Sequence, residues 1–349
     1  IMPGFFMGVL QFGWLGVNTF GSSDALSKGF GQPGLYVPIC VIWALAAAFV
    51  GLKGIQYVAK VSTYLPLIPL AVLILGLVLF AGSAGSYSPA PALPGSPGGA
   101  CNAVLAMIAA IVGFFATAGA AGVDFGLNSR DKNDVSKGGI VGIIIAIVFT
   151  AGISVIGVAG ARATGVIGPS AVNMTDALAV KVPGLYAAIM IGLTLASFPG
   201  ACFSSFIAAN SFKTVMPKVN PFISVGIGAA VSIILAATRW AGDLGSVFGL
   251  IGASFGPICG AMLVDYLLSG GNWTGPRAGF NPAGWIAWAL GFIVGILPNP
   301  MLPAACHVDI PCPPVAAFLV GAVVYFICAK IGLQSAVVPI PEKKEQPTA

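Results

Sequence analysis

Apolar residues in this chain come in long unbroken runs, not in the alternation that marks a water-facing helix or strand. Ten runs stand out, at 1–20, 35–50, 63–81, 102–123, 138–160, 185–210, 221–238, 244–268, 282–297 and 315–331. Each is near the ~20 residues that a helix needs to cross a bilayer. The stretches between them carry nearly all of the charge, so the pattern predicts an all-α integral membrane protein with about ten transmembrane helices. Residues 21–34, with Asp24 and Lys28, read as a polar connection. Residues 82–99 are too rich in Pro, Gly and Ser to be helical. A charged loop from Asp124 to Lys137 follows the fourth run. The whole chain, 1–349, reads as one transmembrane domain, and 332–349, with Glu342, Lys343, Lys344 and Glu345, as a solvated tail.

The fourth run holds an unusual stretch, Gly113-Phe114-Phe115-Ala116-Thr117-Ala118-Gly119-Ala120-Ala121-Gly122. Lipid offers the backbone no hydrogen-bond partners, so a spanning helix must satisfy its own. Three glycines, a threonine and two adjacent aromatics in mid-span point in two directions. One is a helix that leaves helical geometry, which at membrane depth happens only where the backbone lines a cavity or is buried in protein. The other is close helix packing through small residues.

Composition settles the class. The chain is 58% hydrophobic and 7% charged, against about 25% charge in a soluble domain, and its mean hydropathy is +0.99. The net charge of +5 is scattered between apolar runs and is no nucleic-acid signal. Of the fifteen Lys and Arg, one set of alternate loops holds all but Lys28, Arg162, Lys181 and Arg239. The positive-inside rule then places that richer set and the C-terminus in the cytoplasm, with the protein in the cell membrane. The sequence opens at Ile1, inside an apolar run and with no signal-peptide pattern, and reads as a fragment lacking its N-terminus.

Candidate chemistry is sparse. Cys306 and Cys312 flank a short polar loop that holds His307, the chain's one histidine, and Asp309. Free thiols, a disulfide in an oxidising compartment, and a metal site remain open there. No run carries an ionisable residue near its middle, which argues against proton coupling. No nucleophile, base and orienting group fall into a catalytic set, so the chain does not read as an enzyme. What remains at membrane depth is aromatic, hydroxyl and amide chemistry. That suits a flat, neutral, polar ligand. Gln11 and Trp14, at i and i+3, share a helix face. Trp14 taken alone reads first as a lipid-facing or interface aromatic, and Gln11 is equally a helix–helix hydrogen-bonding residue.

Three motifs in order resemble the nucleobase:cation symporter-1 family, the cytosine permeases. They are Gln11-Phe12-Gly13-Trp14-Leu15-Gly16-Val17, then Gly113 to Gly119 followed by Asp124, then Pro257-Ile258-Cys259-Gly260 with Asp265-Tyr266-Leu267. The resemblance covers nearly the whole chain. It implies a LeuT-like inverted-repeat fold in which the ten spans are family helices 3–12 and the first two helices are missing. It also implies import of a nucleobase such as cytosine by alternating access, with sodium as the coupling ion and no cofactor. Trp14 and Phe115 would stack on the ring, Gly113 and Gly119 would permit unwinding, and Phe114, Thr117, Gln11 and Ser204 would complete the substrate residues. Sodium would be held in one of two registers, Thr194, Ser197 and Phe198, or Ala201, Ser204 and Ser205. Pro199-Gly200 is expected to break the helix between these registers. Asp265, at a helix C-terminus, needs a basic or hydrogen-bonding partner and reads as structural, closing an inner gate. The alternatives are a carrier for another heterocycle, such as a hydantoin, ureide or vitamin ring, and a non-transporting receptor-like module.

Overall fold

A computed structural model describes residues 2–88, 99–126, 129–169, 171–272 and 274–338. The tail residues Glu342 to Glu345, most of the proline-rich stretch and the Asp124 side chain lie outside the described residues. The described residues form helices and no strand, apart from one isolated bridge between Arg277 and Val337. Six helices are long and apolar enough to cross a membrane: Pro33–Leu52, Ile55–Ala84, Lys132–Ala163, Pro183–Val215, Leu244–Leu268 and Pro313–Lys330. Three shorter apolar helices accompany them, Gly99–Phe115, Pro221–Ala237 and Pro282–Ile296. Only 6% of the apolar window in Lys132–Ala163 is buried. Ile140, Val141, Ile144 and Val148 are more than half exposed there, a surface suited to lipid and not to water. The chain is an all-α membrane protein.

Contacts divide it into two compact units, one of residues 3–96 and 120–244 and one of residues 97–119 and 245–349. In the first unit, α1 (Met2–Gly29), α2 (Tyr36–Leu52), the short α3 (Ile55–Ser62) and α4 (Leu67–Ala84) come first. In the second unit α5 (Gly99–Phe115) ends before a break, and α6 (Ala118–Gly126) straddles the division. The first unit resumes with α7 (Lys132–Gly139), a π-helical turn at Ile140–Ile145 and α8 (Ala146–Ala163). It closes with α9 (Met174–Lys181), α10 (Pro183–Val215) and α11 (Pro221–Ala237). The second unit is completed by α12 (Leu244–Leu268), α13 (Pro282–Ile296) and α14 (Pro313–Lys330).

Small residues hold the first unit together, because lipid provides no hydrophobic drive between helices and close van der Waals approach must replace it. A Cβ on Gly160 of α8 would sit 1.9 Å from the Phe80 carbonyl oxygen of α4, so only glycine fits that crossing. The long α10 packs on α1 through Gly8 and Gly29, and on α2 through Gly51.

Two expectations are corrected here. The connection expected at 21–34 is helical as far as Gly29. Its hydroxyls are buried against neighbouring helices, with Ser22 and Ser23 at 2% and 0% exposure. Asp24 pairs with Lys28 one turn on at 2.6 Å and with Arg239 at 3.4 Å, which stabilises that last stretch of helix. The break expected at Pro199-Gly200 is absent, and α10 runs continuously through Pro199. Proline in a helix costs about 3 kcal/mol. Packing on both sides of it outweighs that cost, with Ser197 bonded to Ser22 before the proline and Gly51 seated on Cys202 and Ser205 after it.

In the second unit α12 is the most enclosed span, with 61% of its apolar window buried. Pro257 at its middle meets Gly291 of α13 and Gly321 of α14. The indole of Trp288 donates to the Ser254 carbonyl at 3.0 Å, and Asn299 donates to that of Ser246 at 3.0 Å. Asp265, at the end of α12, has the partners its position calls for. The Arg277 guanidinium donates to both carboxylate oxygens, and Gln334 donates to one of them at 2.6 Å. Gln334 also donates to the Tyr325 hydroxyl at 2.9 Å, and Arg277 to the Ser335 carbonyl at 3.0 Å. Burial opposes the Arg277 charge, but the hydrogen bond and the charge of Asp265 more than offset it and keep Arg277 above its ordinary value. This network straps the segment after α14 across the α12–α13 loop, with further bonds from Ala278 to Ala336 and from Val338 to Pro276.

Candidate functional site

The candidate site begins with the interruption between α5 and α6. The chain leaves helical geometry at Ala116 and Thr117, in the middle of an apolar run. The turn is closed by the Ala116 N–H donating to the Gly113 carbonyl at 3.5 Å, a three-residue step in place of the four-residue helical one. The Ala116 carbonyl accepts from the Cys259 thiol of α12 at 3.6 Å. A side chain thus supplies a partner to a carbonyl beside the break, as a low-dielectric setting requires.

The two glycines assigned to unwinding are both helical. Gly113 is in the last turn of α5, and a Cβ there would lie 2.5 Å from the Phe248 carbonyl oxygen. Its smallness serves the contact with α12. Gly119 lies in α6 with nothing within 4 Å of its Cβ position. The break is therefore at an alanine and a threonine, flanked by glycines that are not part of it. Phe114 makes edge contacts with Phe115, at 4.7 Å between ring centroids, and with Phe248, at 5.1 Å. Phe114 is 38% exposed and Phe115 half-buried. Thr117 is buried at 5% exposure, and its hydroxyl makes no hydrogen bond among the described residues. A hydroxyl next to an interrupted backbone can both donate to and accept from a polar ligand edge.

In the first unit, Gln11 on α1 is buried at 4% exposure, and its amide nitrogen donates to the Met7 sulfur at 4.0 Å. Trp14 is half-buried, and its carbonyl accepts from Asn18 at 2.8 Å. One turn further, Ser22 donates to the Asn18 carbonyl at 2.6 Å and shares a hydroxyl–hydroxyl bond of 2.5 Å with Ser197 on α10. Thr194 donates to the carbonyls of Met190 and Ser22, at 2.9 and 3.2 Å. Gln11, Asn18 and Ser22 form a polar stripe on α1 at helical spacing, and Thr194 and Ser197 complete it from α10. Reading 21–34 as a loop hid Ser22, although its helical spacing from Gln11 and Asn18 was visible.

The two sodium registers fall in different surroundings. Thr194 and Ser197 join the α1 stripe. Ser205 is pressed against Gly51 of α2, and both Ser204 and Ser205 bond back to their own helix, at Gly200 and Ala201. Each donating hydroxyl keeps lone pairs that suit a hard cation. Among the described residues no group of three or more His, Cys, Asp or Glu is placed to hold a metal. Cys306 is an exposed thiol and Cys312 a buried one, and the two are not bonded.

Among the described residues, the buried hydroxyls of Thr19 and Ser23 on α1 and the buried Trp43 indole N–H find no partner. Most serines and threonines on the neighbouring helices bond back to a carbonyl one turn earlier, so these groups stand apart. No known protein-family model and no curated protein matches this chain.

Proposed function

We propose that the chain is a secondary carrier that imports a nucleobase such as cytosine, or a related flat heterocycle, through the cell membrane by alternating access. The observation that carries this reading is the interruption at Ala116–Thr117 inside an apolar helix. Non-helical backbone at membrane depth is stable only beside protein or a polar cavity, and carriers place their binding sites at such interruptions. The hydroxyl of Thr117 and the rings of Phe114 and Phe115 beside the break suit a neutral aromatic ligand with a polar edge. The proposal gives Trp14 and Phe115 the role of aromatic faces for the ring, with Gln11 as a hydrogen-bonding amide. Cation coupling is assigned to the α10 hydroxyls. Thr194 and Ser197 are favoured over Ser204 and Ser205, because they open onto the polar stripe of α1. The remaining parts of the reading are the ten spans of a LeuT-like fold and a cytoplasmic C-terminus.

The test is uptake of labelled cytosine into proteoliposomes made from the full reading frame, with Thr117→Val beside the unsubstituted protein. The proposal predicts saturable uptake and at least a tenfold loss of efficiency in the variant, the scale of one buried hydrogen bond to a ligand. Uptake equal in both would remove Thr117 from the site. Absence of uptake for cytosine and for a panel of purines, hydantoins and vitamin rings would remove the carrier reading.

A further inference from the structure

At the end of α8 a cavity of about 460 Å³ opens between the residues that follow α4 and those that follow α8. Its polar lining is Arg162 with Tyr87, Ser86 and Ser88, and Gly165 and Pro169 form part of the wall. The volume lies within the roughly 300–1,000 Å³ range of small-ligand sites.

Arg162 sits in the last turn of the helix and is half-buried. Its Nε and Nη2 both donate to the Ala171 carbonyl, at 2.9 and 2.7 Å, and its Nη1 donates to the Tyr87 hydroxyl at 3.2 Å. A guanidinium has five N–H groups in a planar fork. These three bonds fix the plane and leave one N–H on Nη1 and one on Nη2 for a ligand.

Arg162 makes no ion pair among the described residues, whereas Arg130, Arg239 and Arg277 each pair with an aspartate. The stretch from Ser83 to Asn102 contains no acidic residue. A carbonyl, a phenol and the C-terminal dipole of α8 give only partial negative charge. Part-burying a full charge without a counterion is costly, and a bound anion would remove that cost. Ser86 gives its hydroxyl hydrogen to the Ser83 carbonyl at 3.0 Å, whereas the planar fork, the Tyr87 O–H and the Ser88 hydroxyl are donors that together match a tetrahedral oxyanion.

We infer that this cavity is a binding site for a phosphate group, held by Arg162 with Tyr87 and Ser88. The site lies at the end of a long apolar helix, the level at which lipid headgroups begin. The phosphate therefore has two sources, an anionic lipid headgroup or a free phosphate from the aqueous side. The inference concerns residues outside the proposed transport site and does not depend on the substrate.

The experiment uses the full chain in neutral detergent and has two arms. In the first, thermal unfolding is followed against inorganic phosphate, with chloride at matched ionic strength as control. In the second, native mass spectrometry counts the lipids retained from mixed micelles of phosphatidylglycerol or phosphatidylcholine. Arg162→Gln, Arg162→Lys and Tyr87→Phe are taken through both arms. A saturable phosphate effect that is weakened about tenfold or more in Arg162→Gln assigns the site to free phosphate, that factor being the scale of a charge-assisted hydrogen bond. One phosphatidylglycerol retained by the native chain and lost by Arg162→Gln, with no phosphate effect, assigns it to lipid. If Arg162→Gln does not fold, Arg162→Lys and Tyr87→Phe decide by the same readouts. Lys keeps the charge without the fork, and Phe removes one donor from a part-exposed ring. Phosphate and lipid responses that are absent, or that are unchanged in every folded variant, overturn the inference and leave Arg162 as a staple for the Ala171 loop.

Discussion

Gly113→Ala and Gly119→Ala make a matched pair that isolates one contact. Both add a methyl to a helical glycine, and both gain about 0.5–1 kcal/mol from the better helix propensity of alanine. They differ in what the methyl meets. At Gly113 it lies 2.5 Å from the Phe248 carbonyl oxygen and 3.0 Å from its carbon, and at Gly119 nothing lies within 4 Å. Ordinary contact begins near 3.4 Å, so α5 and α12 must part by roughly 0.9 Å, because the obstacle is backbone and no side-chain rotation relieves it. Overpacking of this kind costs about 1–3 kcal/mol. The two variants should differ in stability by about 2 kcal/mol, near thirtyfold in the equilibrium. The assay is thermal unfolding of both proteins in one detergent, followed by tryptophan fluorescence. Gly113→Ala should unfold at a clearly lower temperature than the native chain, and Gly119→Ala at the same temperature or higher. Equal melting of the two variants would refute the close crossing of α5 on α12, and with it the reason given for glycine at position 113.

Three further outcomes follow from the same geometry. Asp265→Asn and Arg277→Gln should each cost about 2 kcal/mol, discounted from the larger cost of breaking a fully buried pair because both side chains keep some exposure. The double variant should cost less than the sum of the two, and a double-mutant cycle on thermal stability gives the coupling; strict additivity would dissolve the pair. Pro199→Ala should leave α10 intact and raise stability, by at most about 3 kcal/mol, since it relieves the cost that the flanking packing now offsets; a large loss on circular dichroism melting would show that the proline shapes the helix. Maleimide should modify Cys306 quickly and Cys312 only after denaturation, as read by peptide mass spectrometry; protection of both until reduction would mean a disulfide.

Much of the architecture is legible along the chain because lipid imposes its demand locally. The run at 244–268 coincides with α12, and the run at 221–238 ends within a residue of α11. The interruption near Thr117 was legible as small and aromatic residues out of place in a span, although the glycines that drew attention to it turn out to be helical. The rest depends on partners distant in sequence. Ser22 looks like a loop residue until α10 is placed beside it, and the bond to Ser197 makes its burial tolerable. Pro199 looks like a breaker until its flanking turns are seen to be clamped by α1 and α2. The partners of Asp265 lie in a loop and in the segment after α14, where no periodicity points to them. Arg162 reads as one more loop charge, and only the fold shows that its fork is held in plane with no ion pair among the described residues.

The central claim is carriage of a flat heterocycle, and cytosine uptake under an imposed sodium gradient tests it most directly. The native protein and Trp14→Ala are compared in the same vesicles, with and without the gradient. The account predicts uptake that rises with inward sodium and is lost in Trp14→Ala while the variant remains folded. Uptake indifferent to Trp14 would contradict the aromatic site, and a folded protein that carries no heterocycle with or without sodium would contradict the account as a whole.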